Sequence, residues 1–302
     1  MGLFQSLFVI LIIISLGLAC QKNKIFTVTQ IEGFELFLFK IAIPCYLFTA
    51  TSYYELSTLL HNSYMFSYLL SFLVIAIIII LYSWRSHSPS KICINVLASG
   101  YVNAAIYTLP VITFLLGDPK AAILSNLIQV IAIQPVLLTI LSVFSNEEKS
   151  ILTRLLASIS SPLVIMPLIG LLLNYCQLTP PLIIMNVIKN LGTGASSMAL
   201  LIFGMSLSTI RMSKENLNKD LLIIILAKNI VHPIAAFLIG FYVFNLSQYW
   251  LYSLMIATSA PTGFIVYLIS KKFSGNTQVV KMAIAANSIL SLITLGFITW
   301  LI

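Results

Sequence analysis

Acidic residues are scarce in this chain. Only eight of 302 residues are Asp or Glu, and charged residues of both signs make up 8% against 60% hydrophobic. A soluble chain of this length could not cover so much apolar surface with so few charges. No Asp or Glu falls deep inside an apolar run: Glu32 and Glu35 lie near an edge, Glu55 and Asp118 in loops. That argues against an antiporter in which a buried carboxylate carries a cation. Long polar stretches are also missing, so one integral membrane domain, 1–302, is expected and no separate soluble domain.

Catalytic and metal-binding patterns are lacking too. There are three histidines, His61, His87 and His232, and four cysteines, Cys20, Cys45, Cys93 and Cys176, without metal-ligand spacing. No Gly-rich phosphate loop, Asp-rich diphosphate motif, His-Glu-x-x-His or Ser/His/Asp set is found. Neither an enzyme nor a cofactor or metal is expected. The cysteines read as small apolar packing residues. Met1 to Cys20 ends in Gly17-Leu18-Ala19-Cys20, faintly like a lipoprotein cleavage site, but no Lys or Arg precedes the apolar run. A first transmembrane helix is the better reading.

What the chain has in abundance is long apolar runs. Ten segments emerge, at about 3–20, 33–52, 64–83, 92–116, 121–144, 155–175, 183–208, 220–244, 249–269 and 279–301. The net charge is +8, and its distribution tests the segmentation. Lys22 and Lys24, Arg85 and Lys91, Lys149 and Arg154, Arg211, Lys214 and Lys219, and Lys271, Lys272 and Lys281 follow the odd-numbered segments. The opposite side carries Lys120, and Lys40, Lys189 and Lys228 lie within segments. This is a positive-inside pattern, with odd loops cytoplasmic and both termini on the non-cytoplasmic side of an inner or plasma membrane. Basic residues in short loops do not make a nucleic-acid surface.

The polar loop Ser145–Ser150 divides the ten segments into five and five. Five is odd, so the halves 1–148 and 149–302 enter the membrane from opposite sides, as in inverted repeats. The fourth segment of each half is interrupted. Segment four carries Gly100-Tyr101-Val102-Asn103 and then Thr108-Leu109-Pro110; segment nine carries Ser259-Ala260-Pro261-Thr262-Gly263. Proline lacks an N–H and opens a helix, yet suits the first turn of a new one. Thr108 and Ser259 therefore read as caps of second half-helices beginning at Pro110 and Pro261. Two positive helix ends near the bilayer middle favour an anion, a carboxylate above all.

Lys228 lies about eight residues inside segment eight, roughly 12 Å deep at 1.5 Å per residue, with His232 following on the same face. An ammonium at that depth must be paired, hydrated or neutral. Asn103 at the first break could bond a carboxylate or cap frayed backbone. Lys40, His232 and Asn287 are accessory candidates. Lys189 and the polar residues of segment five, Asn126, Gln129 and Gln134, read as interfacial or packing groups.

These stretches together resemble the auxin efflux carrier family of membrane permeases. Ile41-Ala42-Ile43-Pro44-Cys45-Tyr46-Leu47-Phe48 is similar to the family's Ala-Leu-Pro-x-x-Leu-Phe stretch, and Gly100 through Pro110 to its Gly-x-x-Asn…Leu-Pro signature. Gly204-Met205-Ser206-Leu207, Lys228 to Pro233, and Ser259 to Gly263 resemble further family stretches. Gly263-Phe264 stands where many members place an Asn, and Ser197-Met198 where many have Pro. The resemblance implies two inverted five-helix repeats with crossing broken helices, one sub-bundle a scaffold and the other moving. It further implies bacterial relatives that carry malate, malonate and similar acids.

The reading is an all-α integral membrane protein of ten transmembrane helices, two inverted five-helix repeats with broken crossover helices four and nine. It is a secondary active or potential-driven permease for a small organic anion, with alternating access around a midplane site. Asn103, Thr108, Pro110, Ser259, Pro261, Thr262 and Lys228 are its substrate-binding candidates. The expected partners are the organic anion, the lipid bilayer and a second copy of the chain. The rivals are a sodium-coupled symporter of the bile-acid type and a membrane sensor without flux.

Overall fold

A computed structural model describes residues 3–54, 59–144, 161–208, 218–273 and 277–301. The central loop Ser145–Ser150, and Arg154, Arg211 and Lys214 with it, lie outside the described residues. Among the described residues the regular structure is helical: α1 (Leu3–Lys22), α2 (Val28–Tyr53), α3 (Asn62–Ser83), α4 (Pro89–Gly100), α5 (Ala104–Leu116), α6 (Lys120–Val143), α7 (Pro162–Tyr175), α8 (Leu182–Gly192), α9 (Ala195–Ser208), α10 (Lys219–Val243), α11 (Gln248–Ser259), α12 (Ile265–Lys272) and α13 (Thr277–Leu301). Among the described residues, seven stretches are long and apolar enough to cross a membrane: α1, α2, α3, α6, α8 with α9, α10 and α13; α5 and α7 are shorter apolar helices.

Segments four and nine are each two helices, α4 with α5 and α11 with α12. The expected segment seven divides as well, at Thr193-Gly194, where Gly194 has φ +85°, a backbone that a side chain rarely adopts. The second helix starts earlier than hydropathy suggests. Thr27 accepts a hydrogen bond from the Gln30 N–H, and the Gln30 side chain accepts one from the Thr27 N–H. This capping box carries the helix out past the polar Gln30 and Glu32.

Four prolines within long helices share one accommodation. Pro44, Pro110, Pro135 and Pro233 each follow, by two residues, a wide π turn: Leu38–Ala42, Ala104–Thr108, Gln129–Ile133 and Ala227–Val231. The ring would strike the carbonyl four residues earlier. Widening that turn moves the carbonyl away, so the helix continues through the proline. Pro110 therefore does not begin a half-helix. It sits inside α5, and Thr108 is helical with no side-chain cap bond. The break lies earlier, at residues 101–103, and the expectation of a Thr108 cap is corrected accordingly.

The chain forms two compact units that interleave in sequence. The first comprises Met1–His61, Ala105–Ile131 and Leu156–Thr209. In it α1 packs along α9, and α7 and α8 pack on the second half of α2. The α1–α9 contact is made by glycines. A Cβ on Gly17 would run into the Leu201 carbonyl, and one on Gly204 into the Ile14 carbonyl. With no hydrophobic drive between helices in lipid, such close backbone approach supplies the packing energy. Asn174 of α7 donates to the carbonyls of Ser52 (2.9 Å) and Tyr54 (2.7 Å), satisfying the orphan carbonyls at the end of α2.

The second unit comprises Asn62–Ala104, Ala132–Leu155 and Ile210–Ile302. Here α4 packs against α3, the end of α6, α10, α12 and α13, while α11 packs against α3, α10 and α13. Asp220, at the start of α10, ties the unit's α3–α4 turn in place. Its carboxylate accepts from His87 Nε2 (2.8 Å), Lys91 Nζ (2.9 Å) and the Tyr82 hydroxyl (3.2 Å).

Gly204→Leu is expected to destabilise the first unit by about 1–3 kcal/mol, as overpacking does, read as a lower melting temperature in detergent. Gly296→Ala, where a Cβ meets nothing within 4 Å, should leave the melting temperature unchanged or raise it.

Candidate functional site

The two breaks meet each other within the second unit. Pro261 has no N–H to offer and forces the preceding residue out of the helical region; Ala260 has ψ 150°. The α11 half-helix therefore stops at Ser259. Its hydroxyl donates back to Ile256 O (3.0 Å), so Ser259 is the last residue of the first half-helix, not the cap of the second. The second half-helix, α12, begins at Ile265.

The first break contains no proline and is held open from outside. Tyr101 leaves the helix with ψ 121°, and Val102 pairs antiparallel with Thr262. The Asn103 N–H donates to Pro261 O (2.8 Å), and the Gly263 N–H to Tyr101 O (3.2 Å). Each interruption thus supplies backbone partners for the other. A Cβ at Gly263 would lie 3.1 Å from the Tyr101 ring and from Val102 O, tight enough to favour glycine there. The Tyr101 hydroxyl in turn donates to Gln134 Oε1 (2.8 Å).

Ending a helix strands its last carbonyls, and both strandings here are answered. Ala98 stands four residues before Val102, and Thr258 four before Thr262. Ala98 O accepts from the Thr262 hydroxyl (2.6 Å). Thr258 O accepts from Lys228 Nζ (3.2 Å). The Thr262 oxygen also accepts from Asn287 Nδ2 (2.9 Å), and Asn287 Oδ1 accepts from Asn229 Nδ2 (2.7 Å). A polar chain thus runs from the π turn of α10, through α13, into the second break and on to the end of α4.

This chain is dry. Lys228, His232, Ser259 and Asn287 are fully buried, and Thr262 nearly so. Both ring nitrogens of His232, Asn229 Oδ1, Asn95 Oδ1 and the Ser99 hydroxyl have no hydrogen-bond partner among the described residues. Asn103 is half-buried at the break.

Of the expected site residues, the structure brings together Asn103, Pro261 and Thr262, with Lys228 and Asn287 joined to the same crossing. Ser259 lies at its edge. Thr108 and Pro110 belong to the first unit, within α5. Lys40 is exposed on the first unit's Leu38–Ala42 π turn. Asn229 and the Thr258 carbonyl are members that sequence reasoning passed over. Asn229 stood beside Lys228 in a Pro-terminated stretch, which was the available signal. The carbonyl has no signature in a sequence. The second unit also holds an apolar cavity of about 580 Å³, lined by residues including Phe72, Cys93, Val96, Val136 and Ile140. It offers no charge to an anion.

Thr262→Val would leave Ala98 O and the Asn287 amide unpaired. The expected loss is about 1–3 kcal/mol. Combined with Asn287→Leu in a double-mutant cycle, the coupling should be about 0.5–3 kcal/mol, read from thermal unfolding. Additive losses would mean the two side chains act separately.

No curated protein matches the sequence. The family described as "Membrane transport protein" matches residues 3–299, nearly the whole chain. Its breadth agrees with the apolar helices, several long enough to span a membrane, and with breaks that bond to each other. The chain belongs to this membrane transport family, that of the auxin efflux carriers, and is a multi-pass membrane transporter.

Proposed function

We propose that the protein is a secondary active or potential-driven permease for a small organic anion, working by alternating access around the crossed breaks. The observation that carries this reading is the balance of charge at the crossing. Within the second unit, α4 and α11 end at the crossing and α12 begins after it. The two negative ends are answered by protein groups, the Thr262 hydroxyl and the Lys228 side-chain nitrogen. The positive start of α12 favours a negative guest. No Lys228 ion pair is present among the described residues, and Asp220, the acid at the start of the same helix, is taken by His87 and Lys91.

In this reading Asn103 donates its amide to the carboxylate, Thr262 and Pro261 shape the second break, and Lys228 adjusts the charge of the site. Thr108, Pro110 and Ser259 belong to the flanking half-helices. Ten crossings, arranged as inverted repeats 1–148 and 149–302 in the inner membrane with both termini outside, complete the proposal. The loop charges support it, because twelve of the sixteen basic residues follow odd-numbered segments.

The test is uptake of radiolabelled mono- and dicarboxylates by proteoliposomes. Concentration-dependent, saturable flux is expected for at least one of them. Asn103→Ala should weaken its apparent affinity by about tenfold or more, the worth of one hydrogen bond to a charged group. Absence of flux across a broad panel of organic acids, with correctly reconstituted protein, would contradict the reading.

A further inference from the structure

Buried polar atoms of a folded protein find partners, in protein or in bound water. Asn95 Oδ1 and the Ser99 hydroxyl on α4, and Asn229 Oδ1 on α10, have no protein partner among the described residues. All three side chains are buried. Lys91, Asn95 and Ser99 follow one another at intervals of four and so share one stripe of α4. The direction of that stripe is fixed, because Lys91 Nζ reaches Asp220 at the start of α10, 2.9 Å away. The unpartnered atoms of α4 are therefore turned towards α10.

The two helices run side by side in the same direction. α4 packs against the first turns of α10 and again against its π turn. Their starts are joined by the Lys91–Asp220 pair, and their far levels by the chain from Ala98 O through Thr262 and Asn287 to Asn229. Lys91 to Ser99 is eight residues, and so is Asp220 to Lys228. Ser99 thus stands level with the π turn, about 12 Å from the ion pair. One turn nearer that pair, α10 brings Ile224, buried and apolar, level with Asn95 and offers it no donor. Beside Ser99 the side chains are small, Ala98 on α4 and Ala227 on α10.

We infer that a short file of bound water fills this seam between α4 and α10, from the Lys91–Asp220 pair to the π turn. Water suits the atoms present. The amide oxygens of Asn95 and Asn229 only accept, and the Ser99 hydroxyl both donates and accepts. Water donates to each amide and exchanges bonds with the hydroxyl, reaching the two to four partners that buried water makes. A cation suits them less, since none of the three oxygens is charged and an uncompensated charge in the interior is costly. Asp220, the acid at the seam's start, is already taken by His87 and Lys91. The Lys91 side chain is 33% exposed, so the file meets solvent at that end. At the other end it meets Asn229, and through Asn287 and Thr262 it joins the crossing to solvent.

The inference holds whatever solute is carried, and it is tested without one. Full-length protein with its four native cysteines replaced is placed in lipid nanodiscs as Ser99→Cys or Leu97→Cys. Both positions are fully buried, but Leu97 lies off the Lys91–Ser99 stripe. Each variant is exposed to 2-aminoethyl methanethiosulfonate, a small water-borne thiol reagent. The thiolate is the reacting form and needs water to form, so Ser99→Cys should be modified about tenfold or more faster than Leu97→Cys. Ser99→Ala, which folds without a new thiol, gives a second reading. It takes a partner from the water and should melt about 2 °C or more below the wild type. In a dry seam it would remove an unpaired hydroxyl, and melting would be unchanged or higher. Equal reactivity of the two cysteines would overturn the inference, as would Ser99→Ala melting no lower than the wild type. A saturable rise in the wild-type melting temperature in sodium chloride over choline chloride would overturn it too, by assigning the oxygens to a cation.

Discussion

A helix interrupted in an apolar interior leaves backbone groups that must find a partner in protein, ligand or water. The rest of this structure follows from that constraint. Two interruptions, each untenable alone, are laid against each other so that Asn103 N–H meets Pro261 O and Gly263 N–H meets Tyr101 O. The carbonyls left over at the ends of α4 and α11 then recruit side chains, Thr262 for one and Lys228 for the other. Asn287 and Asn229 are drawn in because the Thr262 oxygen and the Asn287 amide need partners in turn. A polar network in an apolar fold thus grows outward from one two-residue pairing.

Much of this was legible beforehand, for identifiable reasons. Composition and loop charge are sums over many residues, so the membrane class did not depend on any one position. The second break was legible because Pro261 acts locally on Ala260. The first was legible as a place, through Gly100 to Asn103, but not in its mechanism. Pro110 is the conspicuous residue there, and it is absorbed by the Ala104–Thr108 π turn. A π turn has no letter code, and the same device hides Pro44, Pro135 and Pro233 inside long helices. Thr108 and Ser259 look like caps in sequence, yet both are helical residues, because the tertiary pairing fixes the break elsewhere.

The departure at Gly263 also finds a physical reason. Where many members of the resembled family place an amide, a side chain in this chain would press on the Tyr101 ring and the Val102 carbonyl. Amides approach the second break from another direction instead. Asn287 is 25 residues from Thr262, and Asn229 is 58 from Asn287. Contacts at such separations leave no periodic trace in one sequence. The π turn that carries Lys228 and Asn229 places an amine and an amide next to each other, one for the end of α11 and one for α13.

Val102 and Thr262 face each other as a non-hydrogen-bonded antiparallel pair, with Cα atoms about 4.5 Å apart. That spacing lies within reach of a disulfide. The most direct measurement is oxidative cross-linking of Val102→Cys with Thr262→Cys in native membranes, in a background where the four native cysteines are replaced. A mobility shift reversed by reductant is predicted for this pair and not for Val102→Cys with Ser259→Cys. Failure of the first pair to cross-link, or equal cross-linking of both, would contradict the crossing on which the account rests.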